Sequence, residues 1–349
     1  MERSDFEIDD LTIYNLRTDI LERFKDIMRL VRWGNLLFLG ALMWVMEKWV
    51  VVPVLYAQPF GLPEVLPDLI LWLLIVATVL VAAGGYVIND YFDIKIDRIN
   101  RPDKVIVSET MTKPAAMRLS IGLSAAGAVI GLLTAFMVRS WPIGIIFILV
   151  PGLLWFYSSA YKRQLIIGNL IVAFISAIPP LLVGLANESM FGGFLESHDL
   201  VTIADRLAPA MTLVYAWLGG FAVMIFLYTW IREIIKDMQD QMGDRELECH
   251  TIPIVWGELG AKIFVTVLVV IAMALLCWLQ FVVLPFLRVW NSMSVRYLVF
   301  GLLIPLACVV WLTWAGRISS DYRNAQLLMK FAMFLGMMYS FVIYHYLCA

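Results

Sequence analysis

Long apolar stretches, separated by short polar segments, recur along the chain from about residue 33 to the last residue. A helix that crosses the hydrocarbon core of a membrane needs about 20 mostly apolar residues. Glu47 and Lys48 interrupt the first stretch, and we expect this pair near the membrane interface on the side away from the N-terminus. The pattern predicts nine spanning helices, at residues 33–56, 66–91, 114–138, 142–160, 165–187, 208–231, 259–286, 295–316 and 324–348.

The segment before the first stretch has a different pattern, with apolar residues at helical spacing and charged residues such as Asp19 and Lys25 on the opposite face. This predicts an N-terminal interfacial amphipathic helix within residues 1–32. A solvated helix packed on loops is the alternative interpretation. The apolar positions are Ile13, Leu16, Ile20, Phe24, Ile27 and Val31.

The composition agrees with a membrane protein, since 62% of the residues are hydrophobic, 15% are charged and the mean hydropathy is +0.84. A soluble globular protein has about half apolar residues and a quarter charged residues. No polar stretch is long enough for a second folded unit. We therefore predict one all-α, polytopic membrane domain, with residues 33–349 forming a helical bundle.

The basic residues are distributed unevenly between the two sides that nine spans would create. Cytoplasmic segments carry an excess of Lys and Arg, so this bias predicts a cytoplasmic N-terminus in a cell membrane. Two charged segments on that side, 92–113 and 233–258, are interpreted as functional loops. Of the 26 Lys and Arg residues, all lie on the N-terminal side except Lys48, Arg139, Arg206, Arg288 and Arg296.

Both charged segments contain three aspartates with the same spacing. Asp90, Asp93 and Asp97 form the first acid triplet, and Asp237, Asp240 and Asp244 form the second acid triplet. The spacing i, i+3, i+7 places each triplet on one face of a helix. Aligned carboxylates repel one another, so each triplet requires compensating positive charge. Two matching triplets indicate an internal duplication facing one cavity.

Carboxylate oxygens without His or Cys favour a hard cation such as Mg²⁺, which completes its shell with water and phosphate oxygens. The triplets therefore predict Mg²⁺ ions around a diphosphate. A pair of solvated helix ends is the alternative interpretation of the same residues.

The two triplets resemble the motifs of the UbiA superfamily of intramembrane prenyltransferases. The segment NDYFDIKID, from Asn89 to Asp97, is similar to the family pattern NDxxDxxxD, and the second acid triplet is similar to DxxDxxxD. Arg98 to Pro102 resembles the RxxRP element that follows the first motif. The segments REIIKDMQDQMGD and TIPIVWG most resemble those of geranylgeranylglyceryl phosphate geranylgeranyltransferases within the family.

This resemblance implies a bundle of about nine helices around a central cavity, and Mg²⁺-dependent transfer of a long isoprenoid from its diphosphate to a lipid-like acceptor. It implies Asp90, Asp93, Asp237 and Asp240 as metal ligands, supported by Asp97 and Asp244. Asn89 is expected to orient a metal-bound water or a phosphate oxygen. Further expected substrate-binding residues are Asn35, Arg101, Tyr157, Lys162, Arg232 and Lys236.

Three alternatives remain open from the sequence. The acceptor can be an aromatic quinone precursor or a chlorophyllide-like molecule, because related motifs occur in enzymes that prenylate such acceptors. A membrane transporter also places acidic residues in helices, although near the middle of the span. Lys162 and Arg232 can also be read as interface anchors without a role in a site.

Overall fold

A computed structural model describes residues 21–57, 66–198, 201–284, 291–318 and 320–348. Within these ranges the chain is almost entirely helical, which confirms the predicted fold class. The described residues contain nine helices that are long and apolar enough to cross a membrane. They are α1 (Trp33–Tyr56), α2 (Asp68–Asn100), α3 (Lys113–Met137), α4 (Trp141–Ser159), α5 (Ile167–His198), α6 (Val201–Glu246), α7 (Gly257–Val283), α8 (Ser292–Ala315) and α9 (Tyr322–Cys348).

The two segments that were interpreted as loops are mostly helix, and this part of the prediction was wrong. Helix α2 continues to Asn100 and helix α6 to Glu246, so both acid triplets lie on uninterrupted helices. Hydropathy detects only the apolar part of each helix and gives no signal for a polar continuation of the same helix. A helix that projects beyond the apolar layer, however, keeps its backbone hydrogen bonds.

The predicted amphipathic segment lies partly outside the described residues, which begin at residue 21. Residues 21–30 are helical, with Phe24 exposed and Leu30 buried. A short turn at Val31 and Arg32 joins this helical segment to α1. The interfacial position of the segment stays a prediction.

Neighbouring helices approach closely where small residues meet. At Gly127 on α3, a Cβ atom would lie 2.7 Å from the carbonyl oxygen of Ala77 on α2. In lipid, such close backbone approach is a main source of helix association, because the lipid tails are as apolar as the side chains. Close packing of the two helix backbones therefore stabilises the contact between α2 and α3.

The polar pair that interrupts the first apolar stretch divides between two environments. Lys48 reaches the start of α2, where its Nζ lies 2.8 Å from Asp68 Oδ1, as expected for a pair at the far interface. Glu47 instead is fully buried and accepts a hydrogen bond from Asn187 Nδ2 on α5 at 2.6 Å. The Glu47 carboxylate is therefore buried and joins α1 to α5, and the position of the pair relative to the membrane interface stays a prediction.

Candidate active site

The helix ends that carry the two acid triplets meet at one end of the bundle, where α2 and α6 both end. Arg101, just beyond α2, places its Nη2 2.6 Å from Asp240 Oδ1 on α6. Asn100 connects the same two helices, since its Nδ2 donates to the Asp240 carbonyl at 3.0 Å and its Oδ1 accepts from the Gly243 N–H at 2.9 Å. The two motifs are thus brought together by direct contacts.

Two carboxylates of the first acid triplet pair with cations from other parts of the chain. Arg32 Nη2 lies 2.7 Å from Asp90 Oδ1. The buried carboxylate of Asp93 pairs with Lys162 and accepts a hydrogen bond from Asn89 Nδ2 at 2.6 Å. These pairs supply positive charge to two of the three aligned carboxylates.

The second acid triplet is held mainly by polar groups. Asn169 Nδ2 at the start of α5 donates to Asp237 Oδ2 at 2.9 Å. The Thr251 hydroxyl donates to Asp244 Oδ2 at 3.2 Å. Asp237 is therefore oriented by a residue far away in the sequence, and Asp244 by a residue of the following loop. Carboxylates oriented in this way are typical of a pre-organised site.

Lys162 lies between the two triplets, in the Tyr161–Arg163 turn that connects α4 to α5. Burial by itself lowers the pKa of a lysine, but Asp93, Tyr157 and Asp97 together outweigh burial here, and the pKa of Lys162 lies above its ordinary value. The turn packs against α5 so tightly that a Cβ at Gly168 would lie 2.7 Å from the Tyr161 carbonyl. Lys162 points into the site, which excludes the interface-anchor interpretation.

Arg32 and Asn35 form a second polar edge around Tyr86 on α2. The Arg32 guanidinium lies 4.9 Å from the centre of the Tyr86 ring, a cation–π distance, and Asn35 Nδ2 lies 3.5 Å from the Tyr86 hydroxyl. The backbone of Arg32 is left-handed (φ 54°, ψ 52°), which is uncommon for a residue other than glycine. Such strain is typical of residues held in place for function.

A cavity of about 420 Å³ begins beside the first acid triplet, at Asn89 and Arg32, and extends into the bundle. Asn89 and Lys236 lie at its polar end, and apolar side chains such as Phe147 and Leu182 form its walls. Tyr157 is buried at its edge. An adjoining apolar cavity of about 100 Å³ shares wall residues with it, including Phe38 and Ile225. This polar end with apolar compartments fits lipids that carry a charged group.

Arg232 and Lys236 lie one turn apart on α6 and line the cavity beside Glu233. Arg232 pairs with Glu233, and Lys236 Nζ lies 3.8 Å from Glu233 Oε2. Arg232 is therefore a cavity residue, and the alternative that it anchors a helix end at the interface is excluded.

The model for the UbiA prenyltransferase family matches residues 50–338, which is most of the chain and includes both acid triplets. The chain belongs to the UbiA prenyltransferase family. It is an integral, multi-pass membrane enzyme of the prenyltransferase class. The transporter alternative is thereby set aside.

Two relatives of this UbiA-family chain carry the same name. It is 32% identical over 265 residues to the digeranylgeranylglyceryl phosphate synthase of Methanopyrus kandleri, an alignment that covers 75% of this chain and 83% of the relative. The protein of the same name from Methanosphaera stadtmanae is 29% identical over 267 residues, which are 76% of this chain and 83% of that one.

Two solved structures share the fold. One, from a study of digeranylgeranylglyceryl phosphate synthase in membranes, has a TM-score of 0.58 and 21% identity, over 91% of this chain and 99% of that chain. The other is the apo structure of a UbiA homolog from Aeropyrum pernix K1, with a TM-score of 0.56 and 17% identity, over 86% and 98% of the two chains. These similarities establish the UbiA fold.

The carboxylates fit the donor chemistry of Mg²⁺, although the described residues contain no group of three His, Cys, Asp or Glu side chains arranged to hold a metal. Mg²⁺ is usually bound through one or two carboxylates, with water and substrate phosphate completing its shell. Asp90 and Asp93 on α2, and Asp237 and Asp240 on α6, supply such oxygens from two sides. Their role as metal ligands stays a prediction.

Several residues of the site were not predicted from the sequence. Asn100 lies within the Arg98–Pro102 element, and its polar side chain at a helix end was a usable signal. Lys330 interrupts the last apolar stretch. This is a stronger signal than the one from Asn100, because a charge inside a spanning helix is costly. Glu233 and Thr251 gave no local pattern that separates them from solvated residues.

Proposed function

We propose that this UbiA-family enzyme transfers a geranylgeranyl group from its diphosphate to the glycerol hydroxyl of geranylgeranylglyceryl phosphate. The observation that carries the proposal is that the helix ends with the two acid triplets contact each other beside the polar end of a largely apolar cavity. The names of the relatives support this donor and acceptor. Two adjoining apolar compartments also suit a reaction in which both substrates carry a long chain.

The roles of the residues follow from their positions. Asp90, Asp93, Asp237 and Asp240 would hold Mg²⁺, with Asp97 and Asp244 in support. Bound Mg²⁺ would stabilise the charge that develops on the departing diphosphate. Arg101, Lys162 and Lys236 donate charge-assisted hydrogen bonds to phosphate oxygens.

The remaining residues act on the isoprenoid and its surroundings. The Tyr157 ring stabilises positive charge at the allylic carbon by cation–π attraction. Apolar side chains along the cavity exclude water, which protects that carbon from hydrolysis. The C1–O bond of the donor breaks and diphosphate leaves with the bonding electrons, the acceptor oxygen bonds to C1, and its proton passes to the released diphosphate. We place this site and the N-terminus on the cytoplasmic side.

The proposal is tested with labelled geranylgeranyl diphosphate in detergent, with a panel of a glyceryl phosphate lipid and an aromatic acceptor. We expect product from the glyceryl phosphate lipid, none from the aromatic acceptor, and none with a chelator present. Asp90→Asn and Asp237→Asn should each reduce kcat by roughly 100-fold or more, because each removes a charge that acts on the leaving group.

Asp68→Asn is the matched control, since Asp68 pairs with Lys48 at the other end of α2. It should keep wild-type activity, and thermal unfolding should show all three variants folded. Near-normal activity of both site variants would contradict the site assignment. Efficient use of the aromatic acceptor alone would contradict the proposed acceptor.

A further inference from the structure

Lys330 places a charged side chain inside a helix that spans the membrane. It lies on α9, within the apolar span Tyr322–Leu347, and its exposed side chain lines the cavity. Ionisable groups at such positions are costly, and they face a cavity or a partner when they occur. Lys330 makes no ion pair or hydrogen bond with any other residue in the described part of the chain.

The charged neighbours of Lys330 are also mostly cationic. Arg232 and Arg32 are its strongest electrostatic neighbours, followed by Glu233 and Lys236. Glu233 already pairs with Arg232 and lies 3.8 Å from Lys236, and Arg32 is paired with Asp90. The buried Nε of Arg232 has no hydrogen-bond acceptor among the described residues.

The cavity wall therefore has excess positive charge on this side. Its charged lining residues are four cations and a single carboxylate, Glu233. Excess charge in a low-dielectric cavity is stabilised by a bound counter-ion. The occupant of this side should therefore carry a negative group.

This positive region adjoins the predicted diphosphate site, since Arg32 also pairs with Asp90 of the first acid triplet. The cations close to Asp97 and Asp244 are Lys162 and Lys236. The cations that act most strongly on Lys330 are Arg232 on α6 and Arg32 just before α1, and Lys236 acts on it more weakly. Two anionic groups can thus be bound side by side, one at the triplets and one against α9.

We propose that Lys330, together with Arg32 and Arg232, binds the phosphate of the lipid acceptor. This inference rests on the proposed function, in which the acceptor is a phosphate monoester. Two guanidinium groups and one ammonium supply the donors that a phosphate dianion accepts. Binding of the phosphate here holds the glycerol hydroxyl beside the donor at the triplets, so the region selects for phosphorylated acceptors.

The test measures acceptor binding without donor and with Mg²⁺ removed by a chelator, by calorimetric titration in detergent. The two probes are geranylgeranylglyceryl phosphate and geranylgeranylglycerol, which differ only in the phosphate. Lys330→Met should weaken binding of the phosphorylated probe about tenfold or more, the range for one hydrogen bond to a charged group. Binding of the neutral probe should not change, and Lys330→Arg should restore most of the affinity.

Arg323→Met is the matched control, because Arg323 is an exposed cation on the same helix outside the cavity. Equal affinity of the wild type for both probes, or no effect of Lys330→Met on either, would overturn the inference. Activity assays distinguish binding of the acceptor phosphate from binding of the donor diphosphate. Lys330→Met should raise KM for the acceptor and leave KM for the donor unchanged. A raised donor KM alone would assign Lys330 to the diphosphate instead.

Failure of the proposed function gives a different result. In that case the wild type transfers no geranylgeranyl group to the glyceryl phosphate lipid, whatever its affinity for the two probes.

Discussion

Individual carboxylates in the two acid triplets are held by residues from other parts of the fold. Asp93 is held by Lys162, Asp237 by Asn169 and Asp240 by Arg101. Such contacts fix the direction of each oxygen before substrate arrives, so little reorganisation is required in the reaction. The proposed reaction therefore depends on the residue that orients each carboxylate as much as on the carboxylate itself.

Asn100 provides a test of this positioning. Asn100→Ala removes two hydrogen bonds between α2 and α6, at the Asp240 carbonyl and the Gly243 N–H. At about 1 kcal/mol for each hydrogen bond, we expect kcat/KM to fall roughly 10- to 30-fold. The Mg²⁺ concentration for half-maximal activity should rise, because the two triplets are no longer held together.

The control for Asn100 is Asn324→Ala, an exposed amide at the start of α9. Its steady-state kinetics should match the wild type. An unchanged Mg²⁺ dependence in Asn100→Ala would show that Asn100 does not position the triplets.

At the scale of helices, the ends of α2 and α6 are positioned by close packing further along the bundle. Gly127 permits α3 to approach the backbone of α2, the helix that carries the first acid triplet. Without a hydrophobic driving force between helices in lipid, this fit and a few polar contacts determine the packing. The Glu47–Asn187 hydrogen bond is one such polar contact, between α1 and α5.

Gly127→Ala tests the role of close packing. The new Cβ would lie 2.7 Å from the Ala77 carbonyl oxygen, so the helices must move apart. We expect a loss of about 1–3 kcal/mol in the free energy of unfolding, seen as a lower Tm in detergent. Gly122→Ala on the same helix, with nothing within 4 Å of its Cβ, should leave the Tm unchanged or raise it. Equal Tm values for the two variants would contradict the prediction.

At the scale of the whole molecule, the two ends of the bundle differ in their content of Lys and Arg. The α2–α3 loop and the segment after α6 lie at the end that carries the triplets, and Lys48 with Asp68 lies at the other. The excess of Lys and Arg at the triplet end predicts that this end faces the cytoplasm. A cytoplasmic source of diphosphate substrate would then reach the site directly.

Cysteine accessibility tests this orientation. Glu109→Cys in the α2–α3 loop should react with a membrane-impermeant maleimide only in inverted vesicles, whereas Asp68→Cys should react only in right-side-out vesicles. Both side chains are exposed. The chain without an added cysteine, labelled in parallel, measures the background from its own thiols. The reverse labelling pattern would contradict the predicted orientation.

Much of this organisation could be predicted from the sequence, because it depends on local patterns. A run of about 20 apolar residues is a sufficient signal for a spanning helix, and the first predicted span, residues 33–56, coincides with α1. The i, i+3, i+7 spacing places three carboxylates on one helical face in any surroundings. The number of spans, the two acid triplets and their family were therefore determined by the sequence alone.

Only the tertiary structure decided which residues meet. Arg101 and Asp240 are far apart along the chain, and no local period relates them or connects Glu47 to Asn187. Lys330 was counted as one of many basic residues on the cytoplasmic side, but packing of α9 places it in the cavity with Arg32 and Arg232. The physical reason is that helix contacts in lipid depend on shape and on single polar pairs between distant segments, which hydropathy and spacing do not encode.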